Sequence, residues 1–382
     1  MKLIYYSPVS HGGIADYAHE QANALVDLGA DVTLLTTPHY PTGRGEKYKI
    51  LPTLQELKPN TPINNTILKV SRYTIITIAN IKTLVQVIRQ QQIRHVLFGS
   101  YSEYIAPLWT GPLRRLAHQG VVFGAVVHDP VRDFVLGPLW WHRWSIASGY
   151  SFLREAFVHE AIELDTVRSM SQLRTTVIPH GPYRFPESSL SREEIRSRLN
   201  LPIEAKVMLA FGHLRPNKNL DLVIRAMAEV SDVYLVIAGE ESSSSRPLAR
   251  GYQELAKELG VGDRIRWQIR FIPDGEVADF FMATDLILLT YSRNFRSASG
   301  VLNTAVQCHK LCLASGGEGC LTSVIHRHNL GIWVEPDNSK AIALGLSQWL
   351  SGSATSSANW NTYIKENSWE SNAHLTLKAL EH

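Results

Sequence analysis

One segment of the sequence places two basic residues where a strand gives way to a helix. Gly212–Asn219 follows the apolar run Lys206–Phe211 and carries Arg215 and Lys218 at the start of the predicted helix. Two permanent cations and the positive end of a helix dipole suit a diphosphate, whose charge they would stabilise. The alternative is that Arg215 and Lys218 are ordinary solvated surface charges. Their position after a strand favours the diphosphate site.

Two further turns offer backbone amides to an anion. The run Ser-Ala-Ser-Gly at Ser297–Gly300 follows the apolar strand Leu286–Leu289 and begins another predicted helix. Amides and hydroxyls at such a helix start can bind phosphate. Gly12 and Gly13 lie between the first predicted strand and the first helix. They either let an anion approach the backbone closely or simply make a turn.

His128 ends an apolar strand, in the run Val126–Pro130. An imidazole at the carboxyl end of a strand could hydrogen-bond a sugar hydroxyl or assist a proton transfer. A structural histidine that bonds only to backbone would look the same in sequence. Both interpretations of His128 therefore stay open at this point.

The sequence predicts no metal site. Cys308, Cys312 and Cys320 lie close together, but no histidine or cysteine set with zinc spacing completes them, and buried thiols are expected. The chain contains no Asp-X-Asp pair. Arg215, Lys218 and backbone amides can supply the positive charge that a metal would otherwise bring.

The elements that position these residues repeat in the two halves of the chain. Each half opens with a strand, a loop, a helix and a second strand. In the first half the strand, the helix and the second strand are Lys2–Tyr6, Ala15–Leu28 and Asp31–Thr36. In the second half they are Lys206–Phe211, Asn219–Val230 and Val233–Ala238. Alternation at this spacing predicts an α/β protein with doubly wound parallel sheets. In such sheets, ligands bind beyond the carboxyl ends of the strands.

Length and linkers divide the chain into two domains and a terminal helix. At 382 residues the chain exceeds one ordinary core. The Pro- and Ser-rich stretch Gly181–Ser191 predicts a linker. We expect an N-terminal domain over 1–185, a C-terminal domain over 186–358, and a helix within 359–382. The aromatic segment Gly137–Trp144 could form core, contact lipid or line an acceptor cleft.

Composition favours a globular protein without a membrane span. Hydrophobic residues make up 45% and charged residues 19% of the chain. The first residues lack the features of a signal peptide, and no apolar stretch approaches the roughly 18 residues of a spanning helix. The cytoplasm is the expected location.

The net charge is modest and unevenly distributed. Of the total of +3, residues 1–185 carry +5 and the remainder −2. No nucleic-acid-binding motif accompanies this charge, so nucleic acid is not an expected partner. The basic half is compatible with peripheral contact at the inner face of a membrane or with a lipid-linked acceptor, as well as with a plain solvated surface.

In order and spacing, these segments resemble the family-4 retaining glycosyltransferases of the GT-B fold over nearly the whole chain. The segments that carry the resemblance are Gly12–Ile14, His128–Pro130, Ile178–Gly181, Phe211–Lys218, Phe271–Pro273, Ala283–Asp285 and Ser299–Leu302. The resemblance implies two Rossmann-like domains that face each other across a cleft and close on the substrates. It also implies transfer of a hexose from a nucleotide-diphosphate sugar, such as a UDP- or GDP-sugar, to a glycan, lipid-linked or small-molecule acceptor, without a metal.

The resemblance assigns a role to each matching position. His128, Arg215 and Lys218 are expected to be catalytic, with His128 against the donor sugar. The donor phosphates are expected to contact Gly12, Gly13, Arg215, Lys218, Ser299, Gly300 and Val301. Phe271 and Ile272 lie where the nucleotide base packs. The helix around Trp369 resembles the one that crosses back to the first domain.

The sequence departs from the family at two positions. Many relatives have two glutamates eight positions apart, where this chain has Arg296 and Thr304. Thr304 could still hydrogen-bond a ribose, whereas Arg296 would suit phosphate or an acidic sugar. A subgroup with Arg-Pro-X-Lys and Ser-Gly-Val-Leu shares this pattern. The missing glutamates leave open a non-catalytic sugar-nucleotide-binding subunit of a glycan assembly system, and a GT-B phosphorylase or epimerase remains a further alternative.

Overall fold

Short apolar strands separated by helices build two parallel sheets in this computed structural model. It describes residues 1–57, 66–128, 130, 135, 137–241, 248–352 and 358–382. The chain forms two units, residues 1–180 with 367–382, and residues 181–366. Asp129, which belongs to the run Val126–Pro130, lies outside the described residues.

The first unit contains a seven-stranded parallel sheet. Its strands are β1 (Lys2–Tyr6), β2 (Asp31–Leu35), β3 (Lys49–Leu51), β4 (His95–Phe98), β5 (Val122–Val126), β6 (Glu155–Val158) and β7 (Arg174–Val177). They lie in the order β3-β2-β1-β4-β5-β6-β7. The winding direction therefore reverses between β1 and β4, which is where such sheets bind ligands.

Helices connect these strands. They are α1 (Gly13–Asp27), α2 (Thr66–Gln90), α3 (Thr110–His118) and α4 (Leu139–Tyr150). A 3-10 segment at Glu103–Leu108 precedes α3. A buried aromatic and aliphatic cluster that includes Phe98, Phe123 and Phe152 packs against one face of the sheet. Among the described residues, no helix is long and apolar enough to cross a membrane.

The second unit contains a six-stranded parallel sheet. Its strands are β8 (Lys206–Phe211), β9 (Val233–Ala238), β10 (Ile265–Gln268), β11 (Leu286–Thr290), β12 (Leu311–Ser315) and β13 (Gly331–Trp333), in the order β10-β9-β8-β11-β12-β13. The winding reverses between β8 and β11. Both sheets are thus doubly wound, and the α/β fold class expected from the sequence is confirmed.

In the second unit, a helix follows each of the strands β8 to β13. The helices of this unit are α5 (Arg192–Arg198), α6 (Leu220–Glu229), α7 (Leu248–Glu258), α8 (Asp274–Ala283), α9 (Gly300–Gln307), α10 (Cys320–His328), α11 (Ser339–Leu350) and α12 (Trp360–Glu366). Apolar residues fill both faces of the sheet, with Met208, Leu235 and Leu313 on one face and Leu209, Val236 and Ile287 on the other.

The end of the chain returns to the first unit. Helix α13 (Trp369–Glu381) packs along α1, and the buried Asn372 donates to the Tyr17 hydroxyl at 2.8 Å. The preceding helix α12 belongs instead to the second unit, because the buried Tyr363 donates to Asn303 Oδ1 at 2.6 Å. The units therefore divide at 180/181 and 366/367, whereas the sequence suggested 185/186 and 358/359.

The aromatic segment before and within α4 lies largely at the surface. Leu139 is 63% exposed and Trp140 is 64% exposed, and the Trp140 and Trp144 rings stack 6.5 Å apart. Trp141 turns inward and donates from its indole nitrogen to the carbonyl of Tyr104 at 3.0 Å. Most of this segment is therefore not core, because successive turns of α4 present the same tryptophan face to solvent.

Candidate functional site

The two loops at the reversal point of the second sheet are bonded to each other. Strands β8 and β11 are neighbours in this sheet. The amide of Ser292, after β11, donates to the carbonyl of Asn217, after β8, at 2.8 Å. The hydroxyl of Thr290 donates to the carbonyl of Lys218 at 3.0 Å. The sequence-predicted Arg215 and Lys218 thus lie on a loop held firmly at the expected edge of the sheet.

Asp337 joins the same two loops from a third strand. It follows β13, and one carboxylate oxygen accepts from the side-chain amide of Asn219 at 2.9 Å. The other oxygen accepts from the backbone amide of Arg293 at 3.0 Å. Sequence reasoning missed Asp337, although the rule that directs attention to residues after strands would have included it.

Lys218 lies in a confined position above the loop. Its ammonium donates to the carbonyl of Phe211 at 2.6 Å. A Cβ at Gly212 would come within 3.4 Å of the Lys218 Nζ, and Gly212 has a φ of +84°, so this position favours glycine. Burial of the ammonium, followed by the nearby positive charge of Arg215, lowers the pKa of Lys218 to about 7. In the absence of an anion, these surroundings therefore disfavour the charged form of Lys218.

Gly239, after β9, closes the other side of this loop. A Cβ at Gly239 would lie 2.1 Å from the carbonyl oxygen of Gly212, which is less than any real contact distance. The amide of Gly212 donates to the carbonyl of Ala238 at 2.9 Å. The backbone path under Lys218 therefore depends on the missing side chain at position 239.

Arg215 lies at the start of the 3-10 turn Pro216–Lys218 and is exposed. None of the ion pairs among the described residues involves its guanidinium. Its charge nevertheless acts on two neighbours. It lowers the pKa of Lys218, and together with the Ser299 hydrogen bond it opposes the rise that burial causes in the pKa of Tyr291. Arg215 thus supplies positive charge at the same edge of the sheet as Lys218.

The amide-rich turn begins α9, as the sequence predicted. Ser299 is its N-cap, and the hydroxyl oxygen accepts from the amide of Leu302 at 3.3 Å. The Ser299 hydroxyl also lies 3.1 Å from that of Tyr291. Val301 lies against the Gly212 loop, since a Cβ at Gly212 would be 3.9 Å from it. The structure therefore brings Ser299, Gly300 and Val301 together with the loop that carries Lys218.

The positions predicted to bind the nucleotide base lie further along the sheet edge. Phe271 and Ile272 follow the edge strand β10. Phe271 is 48% exposed, whereas Ile272 is buried under the sheet. An exposed aromatic ring at a strand end could stack on a base.

Thr304 and Arg296 differ strongly in their surroundings. Thr304 is buried on α9, and its hydroxyl donates to the carbonyl of Gly300 at 3.3 Å. Arg296 is exposed on the loop after β11. Its backbone packs on the next loop, where a Cβ at Gly319 would lie 2.7 Å from the Arg296 carbonyl oxygen. The backbone at position 296 is therefore well fixed, while the guanidinium faces solvent.

The first unit places Gly12 and Gly13 at the start of α1. Gly12 is the N-cap residue, with a φ of +76°, and no side chain caps the helix. Its carbonyl accepts from the amides of Ala15 and Asp16 at 2.8 and 3.1 Å. The arrangement matches a helix N-terminus after β1, at the reversal point of the first sheet, and its dipole favours an anion.

His128 follows β5 within a cluster of aromatic rings. Its Nε2 lies 3.1 Å from the carbonyl oxygen of Gly99. A carbonyl can only accept, so Nε2 carries a proton and the neutral ring has its lone pair on Nδ1. The ring packs edge-on to Tyr17 at a centroid distance of 4.8 Å. Tautomer and orientation of His128 are therefore both fixed by the fold.

Two more histidines complete this cluster. His159 lies 5.7 Å from His128 and 5.1 Å from His180 between ring centroids, and Trp369 packs on His180 at 5.7 Å. Burial, followed by the neighbouring His180 and His128, holds the pKa of His159 well below its ordinary value. His159 follows β6 as His128 follows β5, so the same strand-end rule could have found it in the sequence.

Among the described residues, no group of three or more His, Cys, Asp or Glu side chains is arranged to hold a metal ion. The three cysteines are free thiols, and Cys312 is fully buried. The groups available for binding an anion in the second unit are therefore Arg215, Lys218 and the amides at the start of α9.

Comparison with known proteins finds a family model that matches the second unit. Residues 191–367 match the family model described as Glycosyl transferases group 1. This match covers most of the second unit and less than half of the chain. D-inositol 3-phosphate glycosyltransferases are similar to the chain: that of Mycobacterium leprae is 30% identical over 154 residues, 38% of this chain, and that of Mycobacterium tuberculosis is 29% identical. The matched segment spans only 35% and 31% of the length of these relatives.

Solved structures resemble the whole chain, including the unit outside the residues that the family model matches. Sucrose-phosphate synthase from Thermosynechococcus elongatus superposes with a TM-score of 0.72 at 16% identity, covering 100% of this chain and 98% of that one. Anabaena HepE in complex with UDP gives 0.67 at 15% identity and covers 100% of both chains. At this identity the likeness establishes the fold alone, and the GT-B fold expected from the sequence is confirmed.

Proposed function

We propose that the chain is a glycosyltransferase that moves a hexose from a nucleotide-diphosphate sugar to an acceptor with retention of anomeric configuration. The observation that carries this proposal is the arrangement of Arg215, Lys218 and the start of α9 at the reversal point of the second sheet. The group 1 domain match and the UDP bound to the similar HepE structure support the nucleotide-sugar donor.

The electrostatics of the site suit a diphosphate leaving group. As the bond to the sugar breaks, negative charge grows on the β-phosphate, and fixed cations and amides stabilise it. The Phe211 carbonyl holds the Lys218 ammonium, and Asp337 fixes the loop that carries Lys218. Little reorganisation is therefore needed when the charge develops. We infer that Arg215, Lys218 and these amides neutralise the leaving group without a metal. Undiminished turnover in excess EDTA would support this, and a loss that Mg²⁺ restores would contradict it.

His128 and the Gly12–Gly13 turn are the corresponding groups of the first unit. The hydrogen bond from Nε2 to the Gly99 carbonyl fixes the His128 ring after β5, a position that suits contact with a donor-sugar hydroxyl. The first amides of α1, at Gly12 and Gly13, suit a phosphate oxygen. These roles rest on the resemblance to family-4 enzymes together with the positions after β5 and β1.

Four further residues are proposed to take part in donor binding. Phe271 offers an exposed ring for the base, and Ile272 anchors its loop in the core. Thr304 already donates its hydroxyl within α9, so it can contribute to a ribose only as an acceptor. Arg296 replaces a carboxylate with an exposed cation, which favours a donor with an additional acidic group.

The donor is best identified by ligand stabilisation followed by turnover. Thermal unfolding against UDP-, GDP- and ADP-sugars ranks the donors, because a ligand that binds the folded state raises Tm by mass action. The best donor is then incubated with and without glycan, lipid-linked and small-molecule acceptors, and nucleoside diphosphate release is followed. Transfer to any acceptor with anomeric retention, lost in Lys218→Met, is the expected result. A product with inverted configuration would overturn the retaining assignment.

The replacement of both glutamates by Arg296 and Thr304 favours a second candidate function, a non-catalytic sugar-nucleotide-binding subunit. Such a subunit would be stabilised by the same donor but would release no nucleoside diphosphate with any acceptor or with water. Donor stabilisation without release over many hours, at micromolar protein, would support the binding subunit and contradict the transferase.

The first unit also suits peripheral contact with an anionic membrane, where a lipid-linked acceptor would lie. On α2, the exposed apolar Leu68, Val70 and Ile75 alternate with the exposed Lys69 and Arg72. Apolar residues flanked by basic ones favour an anionic interface. Flotation with phosphatidylglycerol vesicles should recover the protein, and Ile75→Glu should reduce recovery. Equal recovery with phosphatidylcholine would contradict charge-dependent contact.

A further inference from the structure

A cavity of about 780 Å³ opens at the amino ends of β5 and β6 in the first unit. Its walls are formed by the end of α3, the residues that lead into the two strands, and the loop before β7. His128 and His159 follow the opposite, carboxyl ends of the same strands. Five strand residues at about 3.3 Å each separate the two edges by roughly 15 Å or more. The cavity is therefore distinct from the proposed catalytic edge.

The charged residues that line this cavity are all basic. Arg114, Arg154, Arg168 and His118 contribute to the lining, and no aspartate or glutamate does. None of the ion pairs among the described residues includes Arg114, Arg154 or Arg168. A concave surface lined by one sign of charge concentrates the field and attracts the opposite charge. The lining thus favours an anion.

Arg154 has a structural role as well, which Arg114 and Arg168 do not share. One of its terminal nitrogens donates to the carbonyls of Ala379 and Leu380 at the end of α13. Its Nε is buried without a hydrogen-bond partner. Burial, followed by the nearby Arg174, lowers the pKa of Arg154, and the neighbouring Glu155 opposes this change. The carbonyls of α13 therefore satisfy one nitrogen of the Arg154 guanidinium and leave Nε without a hydrogen-bond partner.

The loop that carries Arg168 holds a strained conformation. Val167 has a φ of +67°, in the left-handed region that β-branched residues rarely adopt. The amide of Val167 donates to Asp165 Oδ1 at 2.9 Å, and the Thr166 hydroxyl donates to the carbonyl of Arg168 at 2.8 Å. These bonds fix the backbone beside Arg168, and the exposed side chain reaches the cavity. Strain of this kind is concentrated at functional positions.

We propose that this cavity is a second anion site that binds a phosphate-bearing ligand through Arg114, Arg154 and Arg168. One guanidinium group can donate two parallel hydrogen bonds to a phosphate. Three guanidinium groups therefore suit a phosphomonoester or phosphodiester. The buried Phe152 and the half-buried Met170 give the cavity an apolar floor for the carbon body of the ligand. A phospholipid headgroup and a soluble phosphorylated compound share this chemistry. The site lies wholly in the first unit and does not depend on donor binding.

The test is local hydrogen–deuterium exchange on the full chain. The probes are glycerol 3-phosphate at constant ionic strength, and vesicles of phosphatidylglycerol or phosphatidylcholine. The variants are Arg114→Glu with Arg168→Glu together, both at exposed positions, and the control Arg143→Glu, an exposed arginine that does not line the cavity. Arg154 is left intact because it also binds α13.

A phosphate-bearing probe should slow exchange in peptides covering 114–122 and 151–172 in the unchanged protein and in the Arg143→Glu control. The double variant should need at least about tenfold more probe, since each lost charged hydrogen bond is worth about 1.5 kcal/mol or more. Protection by glycerol 3-phosphate alone assigns a soluble ligand, and added protection by phosphatidylglycerol but not phosphatidylcholine assigns the headgroup. No protection by either probe, or equal protection in the double variant, would overturn the site.

Discussion

The lowered pKa of Lys218 makes a sharp prediction about nucleotide binding. In the free protein, burial and Arg215 bring this pKa from 10.5 to about 7. A bound diphosphate places negative charge beside the ammonium and should restore the pKa to its ordinary range. Binding of UDP should therefore draw one proton from solution at pH values above 7, and its affinity should fall as the pH rises.

The magnitude follows from the two pKa values. When the pKa of the complex lies well above the pH, the apparent Kd rises in proportion to 1 + 10^(pH − 7). Between pH 7 and pH 9 this amounts to about a 50-fold increase in Kd, or roughly 2.3 kcal/mol. At pH 8 about 0.9 proton should be taken up for each UDP bound. The terminal phosphate of UDP, with a pKa of about 6, is already ionised over this range.

Isothermal titration calorimetry with UDP measures both quantities. Titrations at pH 7, 8 and 9 and at constant ionic strength give the change in Kd. Repeating the pH 8 titration in buffers with different ionisation enthalpies gives the number of protons taken up. Lys218→Met is the control, because it retains every other titrating group. Its binding should be weaker at pH 7 and almost independent of pH.

Two results would refute this reasoning. One is a Kd in the unchanged protein that varies less than about threefold between pH 7 and pH 9. The other is equal proton uptake in Lys218→Met, which would assign the proton to a different group.

Without ligand, the lowered pKa of Lys218 makes the stability of the protein depend on pH. Above pH 7 the unfolded chain, in which the lysine has its ordinary pKa, binds more protons than the folded chain. The free energy of unfolding should therefore rise with pH up to about 10.5. Lys218→Met should lack this rise in a thermal unfolding series.

Four further perturbations test the candidate site. Arg215→Ala should lower turnover by about 10²-fold, as expected for a lost charge contact in steady-state assays, and should move the pH dependence of UDP binding to higher pH because it raises the pKa of Lys218. His128→Ala should slow transfer far more than it weakens UDP binding; equal losses in kcat and Kd would argue against a position near the sugar. Asp337→Ala should weaken UDP binding by about tenfold in calorimetry, since two loop hydrogen bonds are lost, with secondary structure by circular dichroism unchanged. Gly239→Ala should destabilise the protein by about 1–3 kcal/mol in urea unfolding, because its Cβ has no space, and unchanged stability would contradict the close backbone contact.

The order of strands and helices was largely predictable because each element has a local signal. The strands Lys2–Tyr6, Lys206–Phe211 and Val233–Ala238 were predicted with the bounds that the structure has. Each is a continuous apolar run, as expected for a strand buried on both faces. The three-residue edge strand β3 and the short β6 have no comparable signal, and their pairing depends on residues far apart in the chain. Sheet order therefore could not be derived from local patterns.

The candidate site was predictable in part for the same reason. Arg215, Lys218 and Ser299 are recognisable because they follow strands and begin helices. Asp337 is equally close to the site, but its importance depends on hydrogen bonds to Asn219 and Arg293, which lie more than forty residues away. The lowered pKa of Lys218 was also beyond sequence reasoning, since burial of an ammonium is a property of packing. The aromatic cluster around His128 depends on the return of α13 to the first unit.

Charge pairing differs between the two edges of the sheet in the second unit. At the amino edge of its sheet, Arg192 and Arg196 both bind the carboxylate of Asp285, which also accepts from the amide of Val207 at 2.9 Å. At the carboxyl edge, Arg215 and Lys218 have no carboxylate partner among the described residues. A buried cation without a carboxylate partner is unfavourable, and this cost appears as the lowered pKa of Lys218. A bound diphosphate would relieve this cost. The arrangement that destabilises the ligand-free protein should therefore strengthen anion binding.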